Sequence, residues 1–215
     1  ALNSGQVFGK RAAVAIKRSH KDRPERQDET KEIIPALQHA LAEAKSFVED
    51  ETGLAPKEVK SEIQARMSDH AGMICHGPEV KAALEAAHAL SKQVEEVGFS
   101  VNSPAMVAQA FRWRHMAYVS EAVLSALDYY ISNGGGSRGA RAICSDSGTR
   151  CPEAYREDLS RFRFIEEQPK DKAHRLVVCF EAGQMQVKTE PVHTEPDTKR
   201  EFFEKGWGSY LIKEA

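Results

Sequence analysis

The sequence predicts a mainly α fold: an antiparallel helical bundle of the spectrin-like, three- to four-helix kind, followed by a small irregular appendix with a β-hairpin. Three observations predict it. Apolar residues recur at three- and four-residue spacing as far as Ile131, with proline and glycine as punctuation. The last of these stretches runs for nearly thirty residues without a breaker. Beyond Asn133 the composition turns to Gly, Ser and Arg, and two short alternating runs follow.

The first helix spans residues 1–20, with Leu2, Val7, Phe8, Ala12, Ala15 and Ile16 on one stripe and Lys17, Arg18 and His20 in the last turn. Cations there complement the negative helix end. Residues 21–29 are charged, contain Pro24 and read as a linker. The second helix, residues 31–50, carries Ile33, Ile34, Leu37, Leu41, Ala44, Phe47 and Val48 as its stripe and ends before Gly53. Pro35 is expected in its first turn, where a missing amide hydrogen costs least. Pro56 opens the third helix, with Val59, Ile63, Met67 and Ile74 inward, and Gly72 and Gly77 mark its end. Pro78 starts the fourth, with Val80, Leu84, Ala87, Leu90, Val94 and Val97 inward, and Gly98 stops it. Asn102 and Ser103 before Pro104 form a capping start signal for the long helix. That helix is apolar around much of its circumference and is expected to be contacted on more than one side. Residues 133–153 read as a Gly/Ser-rich loop, 175–180 and 184–189 as a hairpin, and 202–210 as an aromatic tail folded back on its own domain.

Composition excludes several classes. The chain of 215 residues has 30 basic and 32 acidic side chains, a balance that disfavours a nucleic-acid or membrane-surface binder. No apolar run approaches the roughly 18 residues of a membrane span. Cys75, Cys144, Cys151 and Cys179 form no CxxC pair, which disfavours a zinc or iron–sulfur centre and fits free thiols in the cytoplasm. The eight histidines form no metal-ligand set, and His88 reads as solvated. Glu121 and Asp128 share a helix face and read as surface charge. No hydrolase triad, P-loop or zinc-protease helix is present, so no catalytic residue is assigned. Arg112, Arg114 and His115 gather cations around one turn of the long helix, weighed as an anion-facing patch against a solvated face. The glycines near Arg138 and Arg141 follow a helix rather than a strand, so a dinucleotide cradle fails.

Beyond these features, the opening A-L-N-S-G-Q-V-F-G-K-R-A-A resembles a stretch of the fumarate reductase/succinate dehydrogenase type of FAD-dependent flavoprotein. Leu2, Val7, Phe8, Gly9 and Ala12 match, with Ala1 where the family has serine. Residues 61–90 are similar to a further segment of that family. Ser137-Arg138-Gly139-Ala140-Arg141 is similar to its S-R-G-A-H loop, with Arg141 in place of the histidine and Ile143 in place of a later arginine. The hairpin and aromatic tail follow in the family's order.

The resemblance implies a divergent branch whose parent transfers hydride or electrons through FAD. It implies that this chain begins inside the flavin site and is a C-terminal part, inactive alone, that buttresses the flavin domain. Residues 1–22 would be a helix from the edge of the FAD-binding domain, 23–135 the helical bundle, and 136–215 the loop-rich appendix. Ala1, Leu2, Asn3 and Ser4 would present the helix start to the flavin. Arg138 and Arg141, with Arg114 and His115, would contact the partner domain. The implied partner is an upstream flavin-binding domain or subunit; the resemblance also admits an electron-transfer iron–sulfur subunit. The competing reading is a standalone helical interaction module.

Overall fold

A computed structural model describes residues 2–19, 30–150 and 162–192. Ala1, the linker at 21–29, Cys151 and the aromatic tail lie outside the described residues. The chain divides into two compact units, 1–46 and 47–215.

The first unit holds α1 (Leu2–Ser19) and most of α2 (Thr30–Glu49). Both helices read from the sequence are there, but most of the described stripe residues before Ala44 are exposed. Val7, Phe8, Ile16, Ile33, Ile34, Leu37 and Leu41 are all exposed. Pro35 lies inside α2, past its first turn, because the helix starts at Thr30.

The second unit begins at Phe47, at the end of α2, and contains the core. It comprises α3 (Pro56–His70), β1 (Ile74–His76), α4 (Gly77–Val97), a 3-10 turn (Pro104–Met106) and α5 (Val107–Ser132). Then come β2 (Ala142–Arg150), β3 (Arg163–Phe164), a second 3-10 turn (Pro169–Lys172), β4 (His174–Glu181) and β5 (Gln184–Pro191). Pro56 and Pro78 occupy the first positions of α3 and α4, where no amide hydrogen is needed. Ser103 precedes the first 3-10 turn in extended conformation, but its side chain makes no capping bond.

One core cluster joins Phe47, Val59, Ile63, Leu90, Val94 and Phe99. Phe47 meets Phe99 edge-on, ring centroids 5.7 Å apart. A second cluster joins Cys75, Val80, Ala87, Leu124, Leu127 and Ile143. Each large side chain buried this way contributes roughly 1.5–3 kcal/mol. The inward stripe of α4 holds at Val80, Ala87, Leu90 and Val94; Leu84 is half-buried and Val97 exposed, while Ala83 and Ser91 are buried. As its apolar circumference suggests, α5 packs against α3, α4, β4 and β5.

Two elements correct the sequence reading. Ile74 does not extend α3; it begins β1 and is exposed. The segment expected as a Gly/Ser-rich loop contains β2, which pairs in parallel with β1 through Ile74–Ala142, Cys75–Ile143 and His76–Cys144. β2 continues antiparallel to β3. The apolar signal of a three-residue strand is too short to detect, and the Ser/Gly content of β2 masked strand pairing with β1, a partner 68 positions away.

The hairpin forms where expected. β4 and β5 pair in register from His174–Pro191 to Glu181–Gln184, closed by Ala182 and Gly183. Both turn residues are left-handed, at φ +51° and +79°.

Candidate functional site

The segment Ser137–Arg141 joins the end of α5 to the end of α3 and to the chain around Ile165 and Asp171. α5 ends at Ser132, and the chain turns through Asn133 and Gly134. Gly136 then passes so close to the backbone of Glu166 that a Cβ would lie 1.8 Å from its carbonyl oxygen. The Gly136 amide donates to Asp171 Oδ2 at 3.2 Å. The Tyr130 hydroxyl faces two acceptors, the Gly136 carbonyl at 2.7 Å and Asp171 Oδ2 at 2.9 Å. Burial, with Asp171 alongside, pushes the Tyr130 hydroxyl up to about 12. Burial opposes ionisation of Asp171, but the bonds from Gly136 and Tyr130 prevail and hold its carboxyl below the usual range.

Ser137, Arg138 and Arg141 are each held by hydrogen bonds. The Ser137 amide donates to the Ile165 carbonyl at 2.7 Å, and the Ser137 hydroxyl accepts from the Ile143 amide at 2.9 Å. Arg138 and Arg141 exchange backbone hydrogen bonds across Gly139 and Ala140, at 3.0 and 3.1 Å. The Arg138 guanidinium donates to the Asp171 carbonyl and lies 3.4 Å from the Glu167 carboxylate. The Arg141 guanidinium donates to the Ala71 and Gly72 carbonyls, at 3.1 and 3.3 Å, at the negative end of α3. Burial pushes the nearby Cys75 thiol up, and Arg141 pulls it the other way.

Both arginines border an open concavity of about 530 Å³ with an apolar floor from Met73, Ile74 and Phe164. Met73 is 74% exposed. Two guanidiniums beside exposed apolar side chains suit docking of an anionic or carbonyl-rich surface. They do not suit proton transfer: Glu167, the acid in this concavity, is held by Arg138 and by Lys172 at 3.2 Å.

The other residues read as candidates lie elsewhere. Arg114 stacks on Phe111, 4.9 Å from its ring centroid, and His115 is exposed. They sit early in α5, about 27 Å along the helix axis from its end, and do not join Arg138 and Arg141. Leu2, Asn3 and Ser4 form the first turn of α1; Ala1 lies outside the described residues, and for the other three only the backbone is described.

Sequence reasoning missed the pairing of Glu121 with His88, whose own side chain is exposed as expected. Glu121 is buried, not surface charge, and its Oε1 lies 2.9 Å from His88 Nδ1. Its helix neighbours Ser120, Leu124 and Ser125, all buried, are the signal that this face turns inward.

No protein-family model matches the chain, and no curated protein matches it. Solved structures do match. The FrdA chain of E. coli quinol fumarate reductase aligns over 91% of this chain and 31% of its own length, with TM-score 0.60 and 14% identity. Adenylylsulfate reductase from the hyperthermophilic Archaeoglobus fulgidus aligns over 86% of this chain and 28% of its own, with TM-score 0.53 and 17% identity. The likeness is one of fold, and the chain spans about a third of the length of these structures.

Proposed function

We propose that this chain is the helical part of an FAD-dependent oxidoreductase of the fumarate reductase/succinate dehydrogenase type, where it buttresses a flavin-binding domain or subunit and has no activity alone. The observation that carries this reading is the fold shared with a fumarate reductase chain over 91% of the residues. The exposed apolar stripes of α1 and α2 support it, because faces of that size are normally covered.

The residues present fit FAD in one respect. First-turn amides of an α-helix have no intrahelical acceptor and carry roughly half a positive charge. The backbone of Leu2, Asn3 and Ser4 in α1 would offer these donors to electron-rich flavin oxygens, with Ala1 beside them. FAD, when bound, supplies the hydride and electron transfer; no residue of this chain is assigned a proton. The parent substrate would be unsaturated or dicarboxylate-like. Arg138 and Arg141 would carry the contact with the flavin domain, with Arg114 and His115 a second contact toward the start of α5. An electron-transfer iron–sulfur subunit is a further partner of the assembly, in a cytoplasmic setting.

Co-expression with the coding sequence upstream of Ala1 tests the reading. It expects a yellow complex with reductase activity, and a colourless, inactive chain when this part is expressed alone. An upstream sequence without an FAD-binding fingerprint, or a complex that stays colourless, would overturn it in favour of a standalone interaction module.

A further inference from the structure

We propose that the cleft between the hairpin tip, α4 and α5 binds a small organic cation bearing an ammonium or guanidinium group. The cleft encloses about 380 Å³, within the size range of small-molecule sites. All the residues lining it belong to the second unit.

Its lining is rich in acceptors. Glu121, 4% exposed, contributes a carboxylate from the inward face of α5. His88 Nδ1 lies 2.9 Å from its Oε1 and holds the carboxylate at the cleft wall. Ser91 lies one turn along α4 from His88. It is 4% exposed, and its hydroxyl oxygen is buried without a hydrogen-bond partner. A buried, unpaired hydroxyl is costly, and rotation of the Ser91 side chain toward a donor in the cleft would relieve it. Glu95 adds a second carboxylate at the rim, while the nearby Lys92 is drawn to Glu96 at 3.7 Å.

One wall is aromatic. Tyr118 from α5 meets Phe180 from β4 with centroids 5.4 Å apart and planes tilted 55°. Phe180 is 51% exposed despite this contact. Carboxylates facing aromatic rings select an organic cation, held by charge and by the ring quadrupoles. An anion would be repelled by Glu121 and Glu95. A metal ion is disfavoured, since no group of three His, Cys, Asp or Glu among the described residues could hold one.

Agmatine, which carries one guanidinium and one ammonium, is the probe, with glutarate as the anionic control. Titrated into the full chain labelled with ¹⁵N, agmatine is expected to move the amide signals of Ser91, Glu95, Gly183 and Gln184 saturably, and glutarate to leave them unmoved. Phe180→Ala and Glu95→Gln alter exposed side chains and should each weaken binding roughly tenfold, the loss of one cation contact. Glu121→Gln keeps an acceptor for His88 and should weaken it at least as much. Absence of saturable shifts, or an affinity unchanged from the wild type in either Phe180→Ala or Glu95→Gln, would overturn the proposal.

Discussion

The Arg141 guanidinium donates to the backbone carbonyl of Ala71, seventy positions earlier in the chain, at 3.1 Å. Its Nε reaches the next carbonyl, that of Gly72, at 3.3 Å. One side chain thus ties the segment after α5 to the end of α3, where orphan carbonyls need donors. Hydrogen bonds from a charged donor are worth about 1.5–3 kcal/mol, and partial exposure lowers this. Arg141→Ala should therefore cost the isolated chain about 1–2 kcal/mol, and Arg141→Lys less. Urea unfolding with an unchanged m-value would register it. An unaltered midpoint would mean that Arg141 acts only toward a partner.

The hairpin turn carries a removable strain. Ala182 sits at φ +51°, a left-handed conformation that costs an L-residue with a Cβ roughly 1–2 kcal/mol. Gly183 beside it, at φ +79°, has no such cost. Asparagine-glycine is the favoured pair for this two-residue turn. Ala182→Asn should raise stability by about 0.5–1 kcal/mol, seen as a higher melting temperature. A lower one would mean that the turn has another geometry.

Gly136 is the reverse case. A Cβ there would lie 1.8 Å from the Glu166 carbonyl oxygen, and backbone cannot yield as a flexible side chain can. Gly136→Ala should cost about 3 kcal/mol or abolish folding of the second unit. Gly9, within α1, would meet nothing within 4 Å. Gly9→Ala should add about 0.5–1 kcal/mol of helix stability in the isolated chain. Circular dichroism on both variants separates the outcomes; similar behaviour would contradict the close approach at Gly136.

The helices were legible because their signals are local. Pro56, Pro78 and the apolar stripes of α3, α4 and α5 act within one or two turns, and each element starts within a few residues of its signal. The hairpin was legible for the same reason, two alternating runs around a short turn. What failed depends on distant pairing. β1 and β2 meet across α4 and α5, and neither strand has a pattern long enough to read alone. Burial failed where polarity misled: Glu121 reads as surface charge until the core face of α5 is known. On α1 and α2 the apolar stripes were legible but their surroundings were not, because an apolar face specifies that something covers it, not what. Of the candidate site, the two arginines were legible; Tyr130 and Asp171, which hold the loop, come together only in the fold.

Tyr130 and Asp171 give the chain a pH signature at both ends of its range. The Tyr130 hydroxyl is raised from 10.0 to about 12 on folding. The unfolded chain therefore releases this proton first, and the contribution, complete below pH 10, is lost as pH rises toward 12. Asp171 is lowered from 3.8, so its contribution is present above that value and fades as acid protonates the folded carboxyl. Stability against pH should fall on the alkaline side in the wild type, and Tyr130→Phe should flatten that limb while lowering the plateau by about 1 kcal/mol for the lost hydrogen bonds. Asp171→Asn should flatten the acid limb instead. Urea midpoints across pH measure both. An alkaline limb that keeps its slope in Tyr130→Phe would show that another group, not the Tyr130 hydroxyl, is responsible for it.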